Sequence, residues 1–278
     1  MIKILVDSSS DCLLEDINNS EIDMLPMSIS IGDDTFIEGE NITRKEFFER
    51  LTAGCDFPKT SQPSPQAFVD YFEKIKADND ELIYICLSTG LSGTYQSALL
   101  AKDMVDYENI YIIDSCTATY AIKIMADYAL QLSKENVPAK EIVTRLETLK
   151  SKVKILAVLD TLEYLGKGGR LNKGVAAIGD LAGIKPLITV TENGEIGVIG
   201  KAMGRNKALH LIMQHLDSYE LNADFPVYSI YSMGTENSDR FEARLTAKNI
   251  TPKTRSQIGP TIGTHIGPGA YGIVFVCK

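Results

Sequence analysis

Three features of the sequence predict an α/β protein built in two different halves: a parallel three-layer α/β/α domain over residues 1–152, then a two-layer α/β domain with a mixed six-stranded sheet over residues 153–278. In the first half, short apolar runs alternate with helical patterns, the signature of βα units and a parallel sheet. In the second, Thr191-Glu-Asn-Gly194 stands between two strand-like runs, and an Asn-Gly turn joins antiparallel neighbours. Between the halves lies the polar break Lys150-Ser-Lys152.

Taken in order, Ile2 to Val6 is a short apolar strand running into the polar loop Asp7-Ser-Ser-Ser-Asp11. Leu25 to Phe36 reads as a hairpin turning at Gly32-Asp33-Asp34. Thr43-Arg-Lys-Glu46 has the capping-box pattern, in which hydroxyl and carboxylate satisfy free N–H groups reciprocally, and it opens a helix to about Thr52. Ser64 as N-cap and Pro65, whose ring presets φ, open a helix through Phe68, Tyr71, Phe72 and Ile75. Leu82 to Leu87 is a buried strand that stops at a Ser-Thr-Gly cluster. After Gly93, Tyr95, Ala98, Leu99 and Val105 recur at helical spacing. A strand over Ile110 to Ile113 and helices over Ala118 to Ser133 and Pro138 to Lys150 complete this half.

The second half opens with a strand over Lys154 to Leu159 and a short helix within Asp160 to Arg170. Strands over Lys185 to Val190 and Glu195 to Lys201 flank the Asn-Gly turn, and a helix follows from about Arg205 to Leu216. Then come a strand over Val227 to Ser232, a helix over Ser238 to Lys248, a strand near Thr254 to Ile258 and a last strand over Gly272 to Cys277. A hairpin among clustered strands implies a mixed sheet with helices mainly on one face.

Composition narrows the function classes. The chain has 278 residues, 44% hydrophobic and 23% charged, so it can bury a sizeable core. Lys plus Arg is 28 against 37 for Asp plus Glu, a net charge of −9, which lacks the cationic footprint of a nucleic-acid binder. Cys12, Cys55, Cys86, Cys116 and Cys277 are odd in number, with no C-x-x-C pair, and read as thiols rather than disulfides. The start MIKILVDSSSD turns acidic too early for a signal peptide, and no apolar run approaches the roughly 20 residues of a membrane span. A reducing cytoplasm is the expected location.

Chemistry concentrates in four polar segments: Thr60-Ser-Gln-Pro-Ser64, Ser88 to Gly93, Gly168-Gly-Arg170, and Gly263 to Gly269 with His265 inside it, the last read as a loop. Ser88 to Gly93 joins a strand end to a helix start, where free N–H groups and the helix dipole favour an anion. The segments are rich in Ser, Thr and Gly and poor in lysine, which favours a carboxylate or monophosphate over a nucleotide. Structural readings stand beside this: Ser64 and Ser92 as caps, Gly168-Gly169 as a helix end, His265 as a structural histidine, Arg170 and Arg205 as surface charges.

Gly90-Leu-Ser-Gly93 resembles a nucleophile elbow, but Thr94 stands where the closing glycine belongs. An acyl-transfer hydrolase using Ser92 and His265 stays open as an alternative, since His210 and His215 lie in a helical pattern. So does a carrier of another small carboxylate or phosphate. No phosphate-loop or dinucleotide fingerprint is present, and Asp7, Asp11 and Asp114 are too dispersed for a metal site.

Asp7-Ser-Ser-Ser-Asp11, Thr60-Ser-Gln-Pro-Ser64, Leu87-Ser-Thr-Gly-Leu-Ser-Gly-Thr-Tyr-Gln-Ser-Ala98, Asp160-Thr-Leu-Glu-Tyr-Leu165 with Gly168-Gly-Arg170, Ile184-Lys-Pro186 and Thr264-His-Ile-Gly-Pro-Gly-Ala270 resemble, in order, the signatures of the DegV family of bacterial fatty-acid-binding proteins. The resemblance implies a DegV-like fold and a carrier rather than a catalyst. One long-chain fatty acid would lie in a buried tunnel between the domains, with its carboxylate presented to a separate fatty-acid kinase that forms an acyl phosphate for phospholipid synthesis. Thr60, Ser61, Ser92 and His265 would bind the carboxylate, beside Gly93 and Thr94. Arg170 and Arg205 would face the kinase. The expected ligand is the fatty acid itself, without cofactor or metal, and membrane contact would be transient. Ile266 stands where the family pattern has a small polar residue, and Gly166 where it commonly has a lysine.

Overall fold

The computed structural model describes residues 1–12, 21–171 and 183–278. A four-stranded parallel sheet has the order β2-β1-β6-β7, from β1 (Ile2–Asp7), β2 (Ile22–Leu25), β6 (Glu81–Cys86) and β7 (Ile110–Asp114). Along β1 the side chains alternate faces, as the period of two requires. Leu5 packs with Phe68, Phe72 and Tyr84 under α2 (Pro65–Ala77) and α3 (Thr94–Val105). Ile4 and Val6 pack with Ile124 and Met125 of α4 (Tyr120–Lys134). Helices on both faces give the three layers expected.

The stretch expected to be one hairpin is divided. Leu25 ends β2, and Pro26, with no N–H to give a ladder, separates it from the true hairpin, β3 (Ser28–Ile31) and β4 (Asp34–Ile37). This hairpin turns at Gly32, φ +60°. A short strand, β5 (Lys59–Ser61), pairs antiparallel with β3 and makes a third, three-stranded sheet. Lys-Thr-Ser is too short and polar to announce a strand. Both N-caps form: Thr43 accepts from Glu46 N at 3.1 Å ahead of α1 (Arg44–Thr52), and Ser64 accepts from Ala67 N at 3.2 Å ahead of α2; of the capping box only this hydroxyl half is seen, and the Glu46 carboxylate accepts from Arg50.

After α5 (Ala139–Leu149) a six-stranded mixed sheet runs β10-β9-β8-β13-β11-β12. Its strands are β8 (Val153–Val158), β9 (Ile184–Val190), β10 (Ile196–Met203), β11 (Tyr228–Tyr231), β12 (Thr254–Gln257) and β13 (Tyr271–Val276), with β11 and β12 the parallel pair. The β9–β10 turn is not a two-residue Asn-Gly turn. Thr191 N bonds Glu195 O at 2.8 Å, and Gly194, not Asn193, takes the left-handed conformation at φ +74°, giving a three-residue loop.

Helices α7 (Arg205–Leu216) and α8 (Glu236–Thr246) cover one face, over Leu156, Ile273 and Phe275. Ile155, Val274, Tyr228 and Ile230 on the other face share a core with α4 of the first half, where the Tyr120 and Tyr228 rings lie 4.9 Å apart. The second sheet is thus two-layered in its own helices and sealed by the first half on the remaining face.

Three short helical pieces complete the described residues, a 3-10 turn (Ser8–Ser10), α6 (Glu163–Lys167) and α9 (Pro260–Ile266). The Gly263 to Gly269 segment, expected to be a loop, begins inside α9. Gly263 allows that helix to press on α1, since a Cβ there would lie 2.7 Å from the Phe48 ring. Among the described residues no helix is long and apolar enough to cross a membrane, and no cluster of His, Cys, Asp and Glu suits a metal ion.

Candidate functional site

At the carboxyl end of β6 a cavity of about 310 Å³ opens between β5, the turn before α3, α6, α9 and the start of β10. This is near the lower end of the roughly 300–1,000 Å³ typical of ligand pockets. Its buried lining is apolar apart from Thr261: Met27, Leu87, Ala118 and Leu165. Its less buried, polar lining is Thr60, Ser61, Gln62, Ser92, Arg170 and His265. A mainly apolar buried lining with a cluster of polar groups beside it suits an amphipathic ligand with a single polar head.

The polar wall is assembled from four separate elements. Thr60 lies on β5, and its Oγ1 is 2.9 Å from His265 Nε2 on α9. Ser92 ends the turn before α3. Its Oγ lies 2.7 Å from Thr94 Oγ1, and it accepts from Thr94 N at 3.3 Å. The N-cap position is held by Gly93 without a side-chain cap, so Ser92 is no ordinary capping serine. Gly93 also keeps space for Gln62, since a Cβ there would lie 2.6 Å from its Oε1; Gln62 Nε2 donates to Ser97 Oγ at 2.7 Å.

His265 is poorly solvated, and burial followed by the nearby Arg170 charge lowers its pKa to about 4. The imidazole is therefore neutral at pH 7. Among the described residues its Nδ1 is buried without a hydrogen-bond partner, pressed against Gly168, where any Cβ would collide with it. A buried N–H without an acceptor is less tolerated than a buried lone pair without a donor, and Nε2, unlike Nδ1, has an oxygen partner in Thr60. The tautomer with Nε2–H donating to Thr60 fits both atoms, and it leaves the Thr60 hydroxyl proton free to point at a ligand.

Gly168 caps α6 and Gly169 follows at φ +70°, so the pair does end a helix as its composition suggests. The same turn delivers Arg170 to the cavity wall. Arg170 Nε donates to Leu91 O at 3.1 Å and Nη1 to Gly168 O at 2.6 Å, and burial lowers its pKa. Arg205 goes elsewhere: it opens α7, exposed, 3.3 Å from Glu236. Ser61 lines the cavity rim, and Thr94 is buried behind Ser92.

Buried and half-buried carboxylates outside the cavity hold this site in place. Asp7, fully buried, accepts from Leu87 N and Tyr84 OH, each at 3.0 Å, and burial raises its pKa. Asp114 accepts from Thr89 N at 3.2 Å and Thr89 Oγ1 at 2.6 Å, tying the site turn to β7. Glu38, which no motif singles out, accepts from Thr261 N at 3.1 Å at the start of α9, while Asp11 accepts from Gly259 N at 2.7 Å. Burial raises Asp11 to about 6 and, with Asp11 beside it, Glu38 to about 7. Arg44 lies near both, its guanidinium donating to the carbonyls of Asp11 and Cys12 at 2.8 and 3.3 Å.

The whole chain, residues 1–278, matches the model of a family described as an uncharacterised protein, DegV family. The chain belongs to the DegV family. A DegV domain-containing protein of Caldanaerobacter subterraneus subsp. tengcongensis is 35% identical over 276 residues, 99% of this chain and 98% of that one. Among solved structures, a fatty-acid-binding DegV family protein from Thermus thermophilus superposes with a TM-score of 0.89 at 26% identity, covering 100% of this chain and 99% of its own. DegV of Bacillus subtilis, described as a fatty acid binding protein, has a TM-score of 0.86 at 30% identity with the same coverage. A stearic acid-binding protein of Eubacterium ventriosum has 0.88 at 27%, again covering 100% and 99%. The DegV fold, with its parallel sheet and mixed six-stranded sheet, is therefore the fold of this chain, and these DegV neighbours bind fatty acids.

Proposed function

We propose that this DegV family protein is a cytoplasmic carrier that holds one long-chain fatty acid, tail inward, and presents its carboxylate to a separate fatty-acid kinase. The observation that carries this reading is a cavity whose buried lining is mainly apolar and which also gathers Thr60, Ser61, Ser92 and His265. In this reading the Thr60 and Ser92 hydroxyls donate to the carboxylate, Ser61 serves the rim, and Gly93 and Thr94 shape the Ser92 turn. Arg170, in the same lining, meets the carboxylate or the phosphoryl group it acquires, and the exposed Arg205 is offered to the kinase.

Magnitudes divide the labour. Burying about 15 methylenes at roughly 0.8 kcal/mol each gives an upper figure near 12 kcal/mol, comparable with nanomolar binding before ordering costs. A charge-assisted hydrogen bond adds only about 1.5 to 3 kcal/mol net. The tail sets affinity and the hydroxyl cluster sets direction.

Geometry disfavours the hydrolase alternative. His265 Nε2 is engaged by Thr60 and Ser92 Oγ by Thr94, and the buried Nδ1 has no carboxylate to orient it among the described residues. Denaturing the purified protein and analysing the released small molecules by mass spectrometry tests the carrier reading. A stoichiometric long-chain fatty acid, converted to acyl phosphate when kinase and ATP are added, is expected. Absence of lipid together with esterase turnover would overturn it.

A further inference from the structure

Ser88 is absent from the cavity lining, yet all of its polar atoms are committed, and their partners lie in loops that leave strands of both large sheets. Its N–H donates to Thr117 O at 3.0 Å, and its carbonyl accepts from Leu91 N at 3.0 Å and Ser92 N at 3.1 Å. Its hydroxyl accepts from Gly90 N at 3.1 Å and donates to Gly194 O at 2.8 Å. The residue has no exposed surface. The carbonyl bonds set the turn that holds Ser92 at the cavity. Gly194 is the left-handed residue at the tip of the β9–β10 hairpin, two positions before Ile196, which forms part of the cavity wall.

The approach is close enough to require glycine on both sides. A Cβ at Gly90 would lie 2.7 Å from Gly194 O and 2.9 Å from Gly194 C, and one at Gly194 would collide with the Ser88 hydroxyl. Two backbones thus meet around one hydroxyl group, linking the loop that carries Ser92 to the hairpin that carries Ile196.

We infer that Ser88 is a positioning residue: it clasps the tip of the β9–β10 hairpin to the Ser92 loop, and release of Ser88 from Gly194 lets that wall move away so that bound ligand can exchange. The inference rests on the fatty-acid reading above. A buried neutral hydrogen bond contributes roughly a two- to twelvefold bias toward the closed arrangement. Removing it raises the open population, and with it the ligand dissociation rate, by the same factor.

The test uses delipidated protein loaded with cis-parinarate, a fluorescent long-chain fatty acid, and chased with excess oleate. Ser88→Ala removes the hydroxyl, and Gly90→Ala pushes the exposed side of the same contact apart. Ser238→Ala is the control, because Ser238 is also fully buried and hydrogen-bonded, to Thr235 O at 2.8 Å, but on α8 outside the cavity lining. Dissociation should be about two- to twelvefold faster in Ser88→Ala and at least as fast in Gly90→Ala. Ser238→Ala should lose thermal stability with an unchanged dissociation rate, which separates clasping from general loosening. If Ser88→Ala does not fold, Gly90→Ala carries the measurement. Wild-type dissociation rates in the folded variants would overturn the clasp alone, whereas a wild-type chain that takes up no parinarate would overturn the fatty-acid reading beneath it.

Discussion

Ser92 and Glu38 show how differently single residues can matter around one cavity. Ser92 faces the ligand space, so in the carrier reading its hydroxyl orients the head group while the buried tail supplies affinity. Ser92→Ala should purify with near-normal lipid but support acyl-phosphate formation about 10- to 100-fold more slowly, the scale of one hydrogen bond to a charged group. Normal lipid with normal acyl-phosphate formation would remove Ser92 from the head-group site. Glu38 acts on the helix behind. Its folded pKa is raised from 4.5 to about 7, so the folded state binds the proton more tightly than the unfolded chain. Its contribution is therefore favourable at low pH and is lost as pH rises from about 4.5 to 7. Glu38→Gln keeps an acceptor for Thr261 without the charge. It should stabilise the protein by up to about 3 kcal/mol at pH 8 and by little at pH 4, as read by thermal melts across that range. His265 works in the opposite sense. Its pKa falls from 6.5 to about 4, so stability is lost as pH drops through that window, and the two slopes partly offset one another.

At the scale of elements, local chemistry was legible where a side chain satisfies its own neighbours. Thr43 and Ser64 cap α1 and α2 as their spacing requires, because each cap needs only residues within one turn. Ser64→Ala should cost about 1 kcal/mol in chemical denaturation and leave the bound-lipid content unchanged. Elements whose existence depends on distant partners were not legible. β5 is held by pairing to β3, and α9 by Phe47 and Phe48 packing against a glycine that on propensity alone argues against helix. The candidate site follows the same division. The Ser92 turn, the Gly168-Gly169 helix end and His265 are marked by their residue types. Ser88, Gln62 and Glu38 act through partners 106, 35 and 223 positions away, which no local pattern reveals.

At the scale of the molecule, one core cluster runs from Ile4 and Val6 of the parallel sheet through α4 to Tyr228, Ile230 and Val274 of the mixed sheet. The two sheets therefore depend on shared apolar burial. Tyr228→Ala, which removes a fully buried ring packed at a tilt against Tyr120, should cost about 3 to 5 kcal/mol. It should shift a single calorimetric transition rather than split it, and two separated transitions would show that the sheets unfold independently. Such coupling suits a site whose polar wall is drawn from both halves, since relative movement of the sheets would open the cavity between them.

By itself the sequence determined the α/β class, the order of nearly all described strands and helices, the helix caps and the segments that carry the polar wall. Each of these follows from hydrophobic period, turn chemistry or hydrogen bonds that close within a few residues. Only the tertiary structure decided that Thr60 meets His265, that Arg170 turns onto the cavity wall while Arg205 stays exposed, and that Ser88 clasps Gly194. Those contacts join residues from different elements, and they exist only once apolar burial has brought the two sheets together.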